Sequence, residues 1–205
     1  MDIVPMSIEH AAAAARLHRQ GIPEGFIASL GEPFLRALYE AIVTSSRAFG
    51  FVALDRGEVC GFVTCAETVR GVYSSVLKRR FFRLAWSVLP RMARPGNLRN
   101  LWETFRYPAR AEAGLPEAEL LSIAVAESAR GGGVGRRLFE RCVEEFHRRG
   151  VPAFKIMVGE GLPANGFYQR LGCRAAGLYR HHGRILCAYV RQTGPTCRTA
   201  EGQSP

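Results

Sequence analysis

The stretch from residue 119 to residue 150 limits most strongly how this chain can fold. It opens on the β-rich run "ELLSIAVA" and passes through "ARGGGVG" with no linker. It continues as "RRLFERCVEEFHRRG", where Leu138, Phe139, Cys142, Val143 and Phe146 recur at helical spacing. Gly150 stops that helix, and a second β-rich run, "PAFKIMVG", follows at once. A strand that empties into a helix through glycines and then returns as a strand belongs in an α/β sheet.

The remaining elements complete such a sheet. Residues 2–7 alternate as a short strand, and Ser7 heads a capped helix through "SIEHAAAAARLHRQ" that "GIPEG" breaks. "FLRALYEAIV" places Phe34, Leu35, Leu38, Tyr39 and Ile42 on one helical face. "AFGFVALDRGEVCGFVTCAET" reads as a hairpin around a three-residue turn, Asp55-Arg56-Gly57, with glycine where φ can be positive. After the second long helix come a short helix in "LPANGFYQRLG" and a last hairpin around His181-His182-Gly183. The expectation is one domain over residues 1–192, with a mixed, mostly antiparallel sheet of about seven strands, flanking helices and an apolar-poor tail at 193–205.

With 205 residues the chain has room for one sizeable core. No apolar run approaches a membrane span, and "MDIVPMSIEH" lacks a secretory n-region, so the expected location is cytoplasmic. The six cysteines show no CxxC and no histidine at zinc spacing, so no metal site is expected. The net charge of +10 favours an anionic partner. Nearly all of it sits in residues 70–110, where ten basic side chains face a single acid, Glu103, and are interleaved with Phe81, Phe82, Trp86, Trp102 and Phe105. We read that stretch as a basic helical insertion between the third and fourth strands.

Glycines between a strand and a helix suit phosphate binding. Without Cβ atoms a ligand can reach the backbone, and the first helical turn points free N–H groups and a partial positive charge at it. A Walker loop would need a lysine followed by Ser or Thr, and none is present. A G-x-G-x-x-G turn counted from Gly131 and Gly133 would need its third glycine at Arg136, so it fails too. What remains is Arg130-x-x-Gly133-x-Gly135 after a strand ending "IAVAES".

Those residues resemble the signature [QR]-x-x-G-x-[GA] of the GNAT superfamily of acyl-CoA-dependent N-acyltransferases. "LPANGFYQRLGCRAAG" is similar to the family's second segment, "A-N-x-F-Y-x-x-L-G-F", and the two segments together cover about residues 119 to 178. The resemblance implies acetyl-CoA as acyl donor. It implies that N–H groups of Gly131, Gly132, Gly133, Val134, Gly135 and Arg136 cradle the pyrophosphate, with Arg130 and Arg136 adding charge. It also implies that Ile123, Ala124 and Val125 splay from the neighbouring strand and pair with the pantetheine arm.

Transfer to an amine requires a neutral nucleophile, a donor for the oxyanion and an acid for the departing thiolate. Tyr168 matches the tyrosine of the second segment and is the expected acid; Phe167 beside it reads as core. Glu119, six residues before Val125 on the same strand, is the first candidate for the base, with Glu117 and Glu24 as substitutes. Even spacing would put Glu119, Leu121, Ile123 and Val125 on one face, awkward for a charge unless the strand bends. Asn165 stands where relatives carry asparagine, and a cofactor contact and a helix-surface role are equally open. Another family asparagine, seven residues before the tyrosine, is Gly161 here, which puts that pantetheine contact in doubt. His181 and His182 read as exposed turn residues.

The charge of 70–110 suggests a small amine acceptor that is acidic or phosphorylated. Solvated arginines around packed aromatics, or a membrane-surface element, are the other readings of that stretch. No nucleic-acid motif is present, and no nucleic-acid partner is expected. The rival function is a degenerate acyl-CoA-binding module or a basic nucleic-acid-binding protein without turnover. The oligomeric state stays open between monomer and homodimer.

Overall fold

The computed structural model describes residues 1–23, 26–68, 114–181 and 183–194. The insertion expected at 70–110, Glu24, His182 and nearly all of the tail lie outside them. Seven strands form one sheet in the order β1-β2-β3-β4-β5-β7-β6. They are β1 (Asp2–Pro5), β2 (Ala48–Asp55), β3 (Glu58–Ala66), β4 (Glu119–Val125), β5 (Ala153–Gly159), β6 (Arg174–His181) and β7 (Arg184–Gln192). Every neighbouring pair is antiparallel except β4–β5.

Helices cover both faces. On one lie α1 (Ala11–Gly21) and α3 (Glu32–Val43), joined by the short α2 (Phe26–Ser29). Their Ala14, Ala15, Leu35, Tyr39 and Ile42 pack on Val52, Phe62 and Ala124. On the other lies α4 (Val134–Arg148), whose Val134, Leu138, Phe139, Cys142 and Phe146 are all buried. They form a second core with Phe49, Val63, Leu120, Phe154 and Ile156. Because β2 is sandwiched between both layers, its first six residues are all buried, and the alternation that would mark a one-faced strand is lost. A short helix, α5 (Ala164–Arg170), links β5 to β6. Among the described residues no helix is long and apolar enough to cross a membrane.

One turn departs from the sequence reading. Asp55 pairs directly with Glu58, so the β2–β3 loop has two residues rather than three. Arg56 takes φ 50° and Gly57 φ 86°, the double positive φ that matches the twist of paired strands in a two-residue hairpin.

Candidate active site

The one parallel pair of the sheet is also its weakest seam. Strands β4 and β5 share a single register pair, Glu119 with Lys155, and the Lys155 N–H donates to the Ala118 carbonyl at 2.8 Å. Beyond that point, among the described residues, each strand is held only from its outer side. β4 stays on β3, with Ala124 opposite Phe62 and Val125 opposite Gly61. β5 stays on β7, with Ile156 opposite Tyr189 and Gly159 opposite Leu186. The strands therefore form a fork, closed at Glu119 and open towards Val125 and Gly159. The edge of β4 facing the gap keeps backbone groups that no ladder uses, the condition for an extended ligand to add as a strand.

A bulge bends β4 into this shape. Ser122 lies opposite Thr64 and Leu120 opposite Cys65, so Leu121 is an extra residue in the ladder. The extra residue also shifts the side-chain alternation. Leu121 packs with the α1–α3 core, whereas Ile123 and Val125 pack with the α4 core. The single face expected for Glu119, Leu121, Ile123 and Val125 does not exist, because even spacing holds only where the ladder is unbroken.

Between the arms lies a cavity of about 410 Å³. Residues 120–125 line one side and residues 156–159 the other. Gly21, Ile22 and Pro23 at the end of α1, with Gly135, Phe167 and Tyr168, complete the wall. The segment "GIPEG" reads in sequence as a helix breaker that carries the candidate base Glu24, and no local signal marks Gly21, Ile22 or Pro23 as cavity wall. Phe167, expected in the core, is half-buried: it packs on the second core and also lines the cavity.

The glycine turn stands at the open end. A 3-10 turn at Glu127–Ala129 leads into it, and the Arg130 Nε donates to the Val125 carbonyl at 3.3 Å, tying the turn to the tip of β4. Gly131 and Gly133 have φ 82° and 75°, so both sit in the left-handed region, and Gly133 is the N-cap of α4. A residue with a Cβ would carry a strain of roughly 1–2 kcal/mol there. Gly131, Gly132 and Gly133 are exposed, as are Arg130 and Arg136, while Val134 is buried and anchors the first turn. Gly135 is different: a Cβ on it would lie 3.4 Å from the Phe167 ring and 3.7 Å from Val125, ordinary contact that a small side chain could make. The first turn of α4 has no preceding turn to accept its N–H groups, and the helix dipole makes that end electropositive.

Tyr168 reaches the cavity from α5. It is 4% exposed and packs against Phe139, Phe167 and Tyr189, with ring centroids 5.2–6.2 Å away. Burial, reinforced by the nearby thiols of Cys173, Cys142 and Cys65, pushes its ionisation well above the ordinary tyrosine value. The hydroxyl is thus held protonated, and the same burial opposes loss of its proton, a cost that a thiolate departing beside it has to offset.

Glu119 is placed differently. It sits at the closed end of the fork, with its carboxylate 3.8 Å from the Lys155 ammonium and both side chains largely buried. The cavity lining begins one residue later, at Leu120. Glu117 is exposed. Asn165 directs its side chain into the protein. Its amide nitrogen donates to the carbonyls of Gly159 and Leu162, each at 2.9 Å, and its oxygen accepts from the Tyr189 hydroxyl at 3.0 Å. Gly161 takes φ 77°, a conformation that asparagine also tolerates. Of the residues singled out in sequence, Ile123, Ala124, Val125, Gly135 and Tyr168 meet around one cavity. Arg130, Gly131, Gly132, Gly133, Val134 and Arg136 belong to the turn tied to the tip of β4 and, like Glu119 and Asn165, stand outside the lining.

The sequence pattern of the acetyltransferase (GNAT) family matches residues 18–173. The chain is similar in structure to the ribosomal-protein-S18-alanine N-acetyltransferase from Escherichia coli, at TM-score 0.59 and 14% identity, covering 97% of each chain. It is also similar to an N-acetyltransferase from Staphylococcus aureus Mu50, at TM-score 0.60 and 18% identity, covering 94% of this chain and 98% of that one. A third likeness is to the ribosomal-protein-alanine N-acetyltransferase from Brucella melitensis, at TM-score 0.59 and 18% identity, covering 94% and 99%. At these identities the structures establish the shared fold. No curated protein sequence matches the chain.

Proposed function

The chain belongs to the acetyltransferase (GNAT) family, and from that premise we propose that it moves an acetyl group from acetyl-CoA to the primary amine of a small acceptor by direct attack on the thioester. The observation that carries this reading is the β4–β5 fork opening onto the glycine turn at the start of α4. An extended arm with a pyrophosphate at one end needs both parts in that order. The fork offers an unpaired strand edge along Ile123–Val125, and the turn offers N–H groups from Gly131 to Arg136 without side chains in the way at Gly131, Gly132 and Gly133. Arg130 and Arg136 add charge beside them.

In the reaction the amine nitrogen forms a bond to the thioester carbonyl carbon, and the carbonyl electron pair moves onto oxygen. Collapse of the intermediate breaks the C–S bond, and the departing thiolate takes the proton of the Tyr168 hydroxyl. The amine proton leaves to solvent, from which Tyr168 recovers its own. The apolar walls contributed by Leu120, Ile123, Ile156 and Val158 disfavour an ammonium ion, so the acceptor reacts as the neutral amine. The charge of residues 70–110 supports an anionic acceptor.

The test is thiol release from acetyl-CoA across a panel of amino sugars, their nucleotide conjugates and polyamines. Turnover on at least one amine is expected. Tyr168→Phe should lower kcat about 100- to 10,000-fold, the range for loss of a general acid, with acetyl-CoA affinity within about twofold of wild type. Binding of acetyl-CoA without turnover on any amine would replace the enzyme with an acyl-CoA-binding module. Salt-sensitive binding to DNA or RNA, with no acetyl-CoA affinity, would overturn the reading.

A further inference from the structure

Helix α5 is only seven residues long, too short to hold its shape by its own hydrogen bonds, yet it carries Tyr168 and adjoins the far arm of the fork. Beside the packing of Phe167 and Tyr168 on the second core, it is tied by a buried hydroxyl on β7. Tyr189 is 3% exposed, and its hydroxyl donates to Asn165 Oδ1 at 3.0 Å while accepting a weaker bond from Gln169 Nε2 at 3.5 Å. These two contacts bracket Tyr168, three residues before it and one after it.

Asn165 passes the constraint to the cavity wall. Its Nδ2 donates to Gly159 O and Leu162 O, both at 2.9 Å. Carbonyls can only accept, so the amide nitrogen has to face them and the amide oxygen has to face Tyr189. Each carbonyl also takes a backbone bond, Gly159 O from Leu162 N at 3.3 Å and Leu162 O from Asn165 N at 3.0 Å. Both lone pairs of each oxygen are therefore committed inside the protein. The Leu162 side chain folds back over Gly159, where a Cβ would fall 2.9 Å from its methyl tip. Gly159 and Leu162 both line the cavity.

We propose that Tyr189 and Asn165 are positioning residues for acetyl-CoA: Tyr189 orients the Asn165 amide, and that amide fixes the Gly159–Leu162 wall and the helix that presents Tyr168. Asn165 acts on the ligand through this wall. The inference rests on the reading of the fork as the acetyl-CoA site.

Two substitutions separate the parts. Asn165→Asp keeps an oxygen for Tyr189 but loses both donors to the wall and sets a charge against two carbonyls. Tyr189→Phe keeps the ring and removes only the hydroxyl. Acetyl-CoA Kd is measured by titration calorimetry on the full chain, beside the Tm of each unliganded variant. Asn165→Asp should weaken acetyl-CoA binding about tenfold and Tyr189→Phe about threefold, the scale of one or two lost hydrogen bonds. The double variant should bind no worse than Asn165→Asp alone, because Tyr189 reaches the Gly159–Leu162 wall only through Asn165, its weaker Gln169 contact lying on the far side of Tyr168. Asn165→Ser, which restores a single donor, should fall between wild type and Asn165→Asp.

Folded variants with lowered Tm and wild-type Kd would overturn the proposal, leaving the two residues a merely structural tie. Additive losses in the double variant would overturn the link through Asn165. If Asn165→Asp does not fold, the Tyr189→Phe and Asn165→Ser affinities decide the matter alone. Failure of wild type to bind acetyl-CoA would instead reject the fork as the donor site, and this inference with it.

Discussion

Gly133 offers the sharpest test of the phosphate cradle, with Gly135 as its control. Gly133 sits in the left-handed region with φ 75°, so alanine there is strained by roughly 1–2 kcal/mol. For a chain of this size that cost corresponds to a fall in Tm of about 2 to 8 °C. Gly133 is exposed at the N-cap of α4, so a methyl there, and the backbone shift that relieves its strain, would disturb the N–H groups the cradle presents. Loss of one hydrogen bond to a charged acceptor, worth roughly 1.5–3 kcal/mol, would weaken acetyl-CoA binding about 10- to 150-fold. Gly135 has ordinary helical φ in the first turn of α4 and stands where the signature admits alanine as well as glycine. A Cβ on it would touch the Phe167 ring at 3.4 and 3.5 Å and Val125 at 3.7 Å, which is contact rather than clash. Replacing glycine by alanine inside a helix stabilises by roughly 0.5–1 kcal/mol, so Gly135→Ala should raise Tm by about 1 to 4 °C and leave acetyl-CoA affinity within about twofold of wild type. Melting curves without ligand and calorimetric titration with acetyl-CoA measure both quantities. A Gly133→Ala protein that binds acetyl-CoA within about twofold of wild type would refute the placement of the pyrophosphate at this turn.

Further expectations concern the closed end of the fork and the opposite core. Glu119→Gln would leave the Lys155 ammonium, 7% exposed, without its carboxylate, and should cost about 2 kcal/mol, between the values for exposed and fully buried pairs. A drop in Tm of about 4 to 8 °C is the expected signature; unchanged Tm with a large fall in kcat would instead identify Glu119 as the base. His18, 4% exposed with Nδ1 2.5 Å from the Tyr39 hydroxyl, is driven by burial to a pKa of about 4. The folded state thus binds its proton less readily than the unfolded state. The stability it contributes is complete above pH about 6.5 and is lost as pH falls towards 4, at up to about 1.4 kcal/mol per pH unit. His18→Gln should flatten Tm against pH across that window relative to wild type, and parallel curves for the two proteins would show that His18 does not titrate there.

Some of this was readable locally. The left-handed glycines at 131 and 133 follow from the strand–glycine–helix run, because a turn of that kind is decided by neighbours in the chain. The helical face of Leu138, Phe139, Cys142 and Phe146 is buried as its spacing required. The two-residue β2–β3 turn was misread by one residue, because Arg56 also takes a positive φ that the sequence alone gives no reason to assign to arginine. Glu119 and Asn165 show a deeper limit. Each has a chemical type suited to a site, yet Glu119 meets Lys155 and Asn165 meets Tyr189, partners 36 and 24 residues away. No local pattern records such pairings.

The sequence by itself determined the order of strands and helices, the glycine turn with its demand for bare backbone, and the tyrosine placed on a short helix after β5. These depend on φ preferences and side-chain periodicity, which act over a few residues. Only the tertiary structure decided that β4 and β5 part after one pair, that a bulge at Leu121 re-aims the strand, and that Gly21–Pro23 and Phe167 complete the cavity. A fork is a ladder left unmade, and whether two strands pair depends on what holds each from its other side. For β4 that is β3 and for β5 it is β7, contacts that span the whole chain.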